Sequence, residues 1–298
     1  MTNRIEFYKN RSIGERFSVA IDFLKQNWKV LYKNILLGGL PLAIMMGYFL
    51  ARQISTQTLG DLSVFFLYYG SFIFLSIINL IYIYSMTGAV LDKYERNQLT
   101  ETTGWNDLSN SFFRFAGKTF NIMLIVYIPL ILIFCAIALL FGFSATAFAS
   151  NTTQSSILLF MLIIFFIIGA AIAFSPSLSV LFFPSYFSDK GIIESVKTSF
   201  SLGFKNWGSL MVAIILTAIV IMLLSLVFTL PFQIISMFSM FGGREFSMIS
   251  FILATLSTIG TLLTTPIMII IFAFQYFSIV EKEEGVSLQS KFEEFEKL

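Results

Sequence analysis

Residues 209–232 read SLMVAIILTAIVIMLLSLVFTLPF, twenty-four positions without an Asp, Glu, Lys or Arg. About 20 such residues in a helix cross the hydrocarbon of a bilayer, and nothing in a soluble domain calls for an uncharged run of that length. Similar runs lie near Asn34–Ala51, Leu62–Leu91, Phe120–Phe143, Ile157–Phe183 and Met248–Val280. Together they predict an all-α, polytopic membrane helix bundle of six transmembrane helices. The composition agrees: 57% of the 298 residues are apolar and 12% charged, where ordinary soluble chains carry about 25% charge.

The connecting segments give the orientation. Seventeen of the 19 Lys and Arg fall before the first run, between the second and third, between the fourth and fifth, and after the sixth. Only Arg52 and Arg244 fall in the other loops. Lys and Arg collect in cytoplasmic loops, so both termini are expected inside. Residues 1–33 have no apolar core followed by a small-residue cleavage site, which predicts an uncleaved first span. The chain then reads as one membrane domain over 1–298: a cytoplasmic amphipathic segment 1–33, a six-span bundle 34–280 and an acidic tail helix 281–298. That tail carries six Glu against three Lys, with Leu288, Phe292 and Phe295 at helical spacing. Docking on the basic cytoplasmic face or on a protein partner suits it better than docking on anionic lipid.

The chain also resembles itself. At an offset of 179 residues Ile13–Trp28 lies on Ile192–Trp207, matching Glu15 to Glu194, Asn27 to Asn206 and Trp28 to Trp207. At an offset of 90, Pro176 lies on Pro266 and Tyr186-Phe187-Ser188 on Tyr276-Phe277-Ser278. With Asp107–Phe120 as a weaker third copy, this predicts three repeated units, each an amphipathic helix followed by a hairpin of spans. In the first such helix Ile13, Phe17, Ala20, Ile21, Leu24, Trp28 and Leu31 recur at steps of three and four. Arg16, Asp22, Lys25 and Lys29 are placed off that face. Ser12 and Glu15 have capping-box spacing. Such a helix either lies in the headgroup layer, with Trp28 and Trp207 as interfacial residues, or packs under the bundle.

The stretch Asp189–Trp207 and the closing Tyr276–Gly285, YFSIVEKEEG, resemble bacterial six-span proteins related to the membrane domain attached to some glycerophosphodiester phosphodiesterases. The resemblance implies a bacterial cytoplasmic (inner) membrane location and no established activity, and carries over no catalytic residue.

Chemistry is constrained by what is missing. The chain has no His, which excludes Ser-His hydrolases and His-ligated zinc or haem. No Asp or Glu falls within the six runs, which argues against an intramembrane aspartyl protease and against coupling through buried charge. The single cysteine, Cys135, can form no intramolecular disulfide. The expected catalytic, cofactor and metal sites are therefore none, and nucleic acid is not an expected partner; membrane lipids and a cytoplasmic protein are.

What remains at depth is neutral: Asn79, Gln233 and Gln275, with the breaks Pro176 and Pro266, are the candidate cavity or hinge residues. Gly39, Ala43, Gly47 and Ala51 repeat every four positions and let another helix approach closely, within the chain in preference to a dimer. Tyr32, Tyr48, Tyr82, Tyr84, Tyr127 and Trp207 read as interfacial anchors. The functional expectation is a non-enzymatic scaffold or accessory factor at the membrane. The alternative is a transporter or permease component for a neutral or amphipathic, lipid-like molecule. A pocket reaching the midplane around Asn79 and Gln275 would favour transport, whereas a solid core with a cytoplasmic groove would favour the scaffold.

Overall fold

Ser12 and Glu15 form the capping box their spacing predicts. The Ser12 amide donates to Glu15 Oε2 at 2.7 Å and the Glu15 amide to Ser12 Oγ at 3.4 Å, which satisfies two amide donors at the helix start. From there α1 (Ile13–Gln57) runs 45 residues, so the amphipathic segment and the first span are one helix. The computed structural model describes residues 4–57, 62–148, 153–188, 190–242 and 248–286. Asp189, Arg244 and residues 287–298, with most of the tail helix, lie outside these. The elements after α1 are α2 (Leu62–Glu95), α3 (Trp105–Phe148), α4 (Thr153–Ser179), α5 (Phe183–Phe187), α6 (Ile192–Lys205), α7 (Trp207–Gly242) and α8 (Met248–Glu284). The regular secondary structure of the described residues is all α-helix.

Among the described residues, five stretches are long and apolar enough to cross a membrane: α1, α2, α4 with α5, α7 and α8. Their outward faces are apolar, as with Phe165 at 79% and Val227 at 70% exposed, a surface that water does not tolerate on this scale but lipid does. The protein is therefore a multi-pass membrane protein. The Phe120–Phe143 run falls inside α3, whose side chains beyond residue 129 are not described.

Two boundaries differ from the sequence reading. The helix of the fourth span, α4, stops at Ser179, where Leu181 and Phe183 amides turn back to the Leu178 and Val180 carbonyls and α5 continues the apolar stretch to Phe187. α8 continues to Glu284, so residues 281–284 belong to the last helix and not to a separate tail. The chain divides into two compact units, Met1–Ala116 with Val212–Leu298, and Gly117–Met211.

In the first unit α8 packs on α1 along the predicted small-residue stripe. Gly39 meets Leu262, Gly47 meets Thr255, Thr258 Oγ1 donates to the Ala43 carbonyl at 2.7 Å, and Ala51 packs with Ala254 and Phe232. On the neighbouring face α2 is fixed by Tyr82, whose hydroxyl donates to the Asn34 carbonyl at 2.6 Å and accepts from the Gly38 amide at 3.1 Å. Tyr32 likewise donates to the Leu263 carbonyl at 2.8 Å. Tyr32 and Tyr82 thus join helices, where the sequence suggested interfacial anchors.

In the second unit α6 lies on the end of α4. Gly203 sits against the Ser177 backbone and Ser199 Oγ contacts the Leu181 carbonyl at 3.1 Å. Lys118 bonds the Ser185 carbonyl and Thr119 the Tyr186 hydroxyl.

Candidate functional site

The polar end of the first unit is built around residues 4–12, a non-helical arm that bends at Phe7 and Tyr8. Phe7 is its anchor. The ring is buried and stacks on Phe277 at 4.6 Å and Tyr94 at 5.6 Å, with Phe274 edge-on at 5.3 Å. The arm backbone is held on both sides: the Ile5 amide donates to the Tyr94 hydroxyl at 3.0 Å, and the Arg11 amide to Ser278 Oγ at 3.0 Å. Arg4 Nη2 donates to the Tyr94 carbonyl at 3.2 Å and also to that of Glu95. The arm therefore straps the end of α2 to the end of α8.

Beneath it lies Arg16. The sequence reading put Arg16 off the apolar face, but only 6% of it is exposed. Its Nε donates to the Arg11 carbonyl at 2.8 Å and its Nη1 to Gln275 Oε1 at 2.9 Å. A guanidinium can be buried when its donors meet oxygens, and here they come from the arm and from α8. Nearby, Asp92 closes the end of α2: Oδ1 accepts from Arg96 at 3.0 Å, and Oδ2 from Ser111 at 3.0 Å and Arg114 at 3.1 Å.

Two grooves open on the arm. One, of about 710 Å³, is lined by Arg4, Lys9, Arg11 and Lys25, by Glu6 and Asp22, and by Ile5, Val19 and Gln26. The other, of about 380 Å³, lies between residues 4–8 and Glu95. The larger has more cationic than anionic side chains over two aliphatic ones, a lining suited to an acidic amphipathic ligand. The second unit has its own groove of about 770 Å³ between Asn121, Ile125 and the start of α6. No group of three or more Cys, Asp or Glu is placed to hold a metal ion among the described residues.

Burial and the neighbouring acids Glu95 and Glu284, with Tyr276, push the Tyr8 phenol above its ordinary pKa. The folded arm therefore keeps the proton that an unfolded chain loses near pH 10. Its contribution is complete below about that pH and is lost as the pH rises toward the folded value. Tyr8→Phe, which cannot ionise, is expected to move the alkaline unfolding midpoint upward and leave neutral-pH stability little changed. Circular dichroism across pH 8–12 checks it; an unmoved midpoint refutes it.

The sequence-nominated residues separate. Gln275 enters the site as the partner of Arg16, its Nε2 buried without a partner. Asn79 is buried in α2 with Oδ1 unpartnered, and so is Thr87 Oγ1 on the same helix. Gln233 is exposed on α7 and faces away from the core. Pro266 is buried in an unbroken α8, whereas Pro176 is buried three residues before α4 ends, so the two helices around the matched prolines do not continue alike. Trp28 and Trp207 are 54% and 40% exposed, and the Trp207 indole donates to the Ala173 carbonyl at 3.2 Å.

The sequence reading missed the arm and its aromatic cage. The available signal was an Arg on an amphipathic helix together with a lone Gln in the last apolar run. No family model, curated protein or solved structure matches the chain.

Proposed function

We propose that the protein is a non-enzymatic scaffold or accessory factor of a bacterial inner membrane that works through the polar end of its bundle. The observation carrying this is the contrast within the first unit. The α1/α8 seam is closed to backbone contact at Gly47 and Thr255, while the groove of about 710 Å³ opens among charged side chains of the arm and α1. In this reading the chain crosses the membrane six times with both ends cytoplasmic, supported by seventeen of 19 Lys and Arg in the inward segments. In this reading the chain is built of three helix-and-hairpin units, and for two of them the matched asparagines make the same bond. Asn27 Nδ2 donates to the Phe23 carbonyl at 2.9 Å and Asn206 Nδ2 to the Leu202 carbonyl at 3.3 Å, each four residues back. The exposed Trp28 and Trp207 act as interfacial residues, and the resemblance to membrane domains of glycerophosphodiester phosphodiesterases agrees in layout.

A permease component for a neutral, lipid-like molecule is the second reading. It is favoured by the unpartnered Asn79 Oδ1 and Gln275 Nε2, since buried polar atoms without partners are rare and can mark a ligand's place.

Purification in native lipid, with mass spectrometry of what denaturation releases, separates the two. The scaffold reading expects a protein partner at fixed ratio and an unchanged small-molecule profile in Asn79→Leu and Gln275→Leu. A stoichiometric small molecule or lipid lost from either variant would overturn it. Cysteines at the exposed Ser12, Gln98 and Ser201 in a Cys135→Ser background read the topology separately. Labelling of any of them by an impermeant reagent in intact cells would refute the orientation.

A further inference from the structure

The last two turns of α8 lie against the arm whose side chains line the larger groove. Ser278 Oγ holds the Arg11 amide, Phe277 packs on Phe7 and Tyr8, and the charge of Glu284 is felt at the Tyr8 phenol. At Gly285, with φ +61°, the chain turns out of the helix, its amide bonding back to the Glu281 carbonyl at 3.0 Å. Positive φ at the residue after a helix is the usual way to end it and redirect the chain. Beyond this turn comes the segment 287–298, SLQSKFEEFEKL, outside the described residues, with Leu288, Phe292 and Phe295 at helical spacing and Glu293, Glu294 and Glu296 beside them.

We propose that this acidic amphipathic segment docks in the groove lined by Arg4, Lys9, Arg11 and Lys25, so that a segment of the chain itself covers its partner-binding face. Three observations on charge, pattern and reach converge. The groove carries four basic side chains against two acidic ones, and the segment carries three Glu against Lys291 and Lys297. The groove's aliphatic pair, Ile5 and Val19, matches the single apolar stripe of the segment. As a helix, residues 286–298 reach about 20 Å and extended about 40 Å, so a groove on the arm bonded to Ser278 is within range. Exposed charge pairs are individually weak, but a tethered ligand at millimolar effective concentration needs little intrinsic affinity. The docked segment then acts as an internal competitor, and an acidic helix of a partner gains the groove only by displacing it. This rests on reading the groove as the functional face, yet its test needs no partner, so the two can fail separately.

The test uses the full-length protein in nanodiscs of neutral lipid, in a Cys135→Ser background with Gln26→Cys on the groove wall and Gln289→Cys on the segment, joined by a short thiol-reactive crosslinker. An intramolecular crosslink is expected. Its yield should fall at least fivefold in Lys9→Glu/Lys25→Glu or in 1 M salt, and return when Glu293→Lys/Glu294→Lys is added to the groove variant. Lys9 and Lys25 are exposed, and the tail variant alone tests the same contact should the groove variant lose its fold. A crosslink indifferent to both charge reversals overturns the proposal. So does a product of doubled mass, which would make a second copy the occupant, or a yield that appears only with anionic lipid.

Discussion

Replacing Gly47 with leucine is expected to prevent the protein from accumulating as a monodisperse species, and replacing it with alanine to lower its melting temperature by several degrees. A Cβ at Gly47 would stand 2.6 Å from Thr255 Cα and 2.7 Å from its amide nitrogen. These are backbone atoms, so no side-chain rotation relieves the clash; α1 and α8 must separate. In lipid, helices gain little from hydrophobic exclusion and are held by close packing, so opening this seam removes the main attraction between them. One methyl of overpacking costs about 1–3 kcal/mol, and leucine adds three more carbons at the same point. Gly70 is the control. A Cβ there meets nothing within 4 Å, and Gly70→Ala should be neutral or up to about 1 kcal/mol stabilising through helix propensity. Thermal unfolding and gel filtration in one detergent decide it, and equal behaviour of the two alanine variants would refute the close seam.

Breaking the Arg16–Gln275 contact is expected to have the second large effect, because it takes one acceptor from a buried charge that keeps the Arg11 carbonyl. Gln275→Leu leaves the guanidinium, 6% exposed, with one acceptor fewer, and should destabilise by about 1–3 kcal/mol. Arg16→Met removes the charge but orphans Gln275 Oε1 and releases the Arg11 carbonyl, so it should cost a similar amount and expose the arm to proteolysis. The double variant should cost less than the sum by about 1–2 kcal/mol, since neither stranded group remains. Additivity within about 0.5 kcal/mol would mean that the hydrogen bond contributes nothing to stability.

These two contacts mark where the sequence stops being sufficient. Gly39, Ala43, Gly47 and Ala51 could be read as a seam because a period of four along one helix is local information. Which helix fills that seam could not, since Thr255 lies 208 positions further on. Gln275 could be singled out because a polar residue in an apolar run is conspicuous. Its partner could not, because Arg16 also fitted a solvated helix face. Gln233 shows the reverse limit, being as conspicuous in sequence as Gln275 and yet exposed.

The solvent was legible from the residues alone. Runs such as 209–232 cannot be hydrated, and their backbone polar groups must be satisfied within helices. The capping box at Ser12 comes from the same kind of near-neighbour chemistry. It took the folded chain to show that residues 4–12 form a strap with Phe7 in an aromatic cage, that Arg16 is buried, and that the helix α4 ends at Ser179 while α8 runs through Pro266 to Glu284. Those outcomes depend on which faces meet among helices far apart in the chain. Periodicity fixes a helix's apolar side but leaves its rotation and its neighbour open, and close packing against a particular partner selects among them.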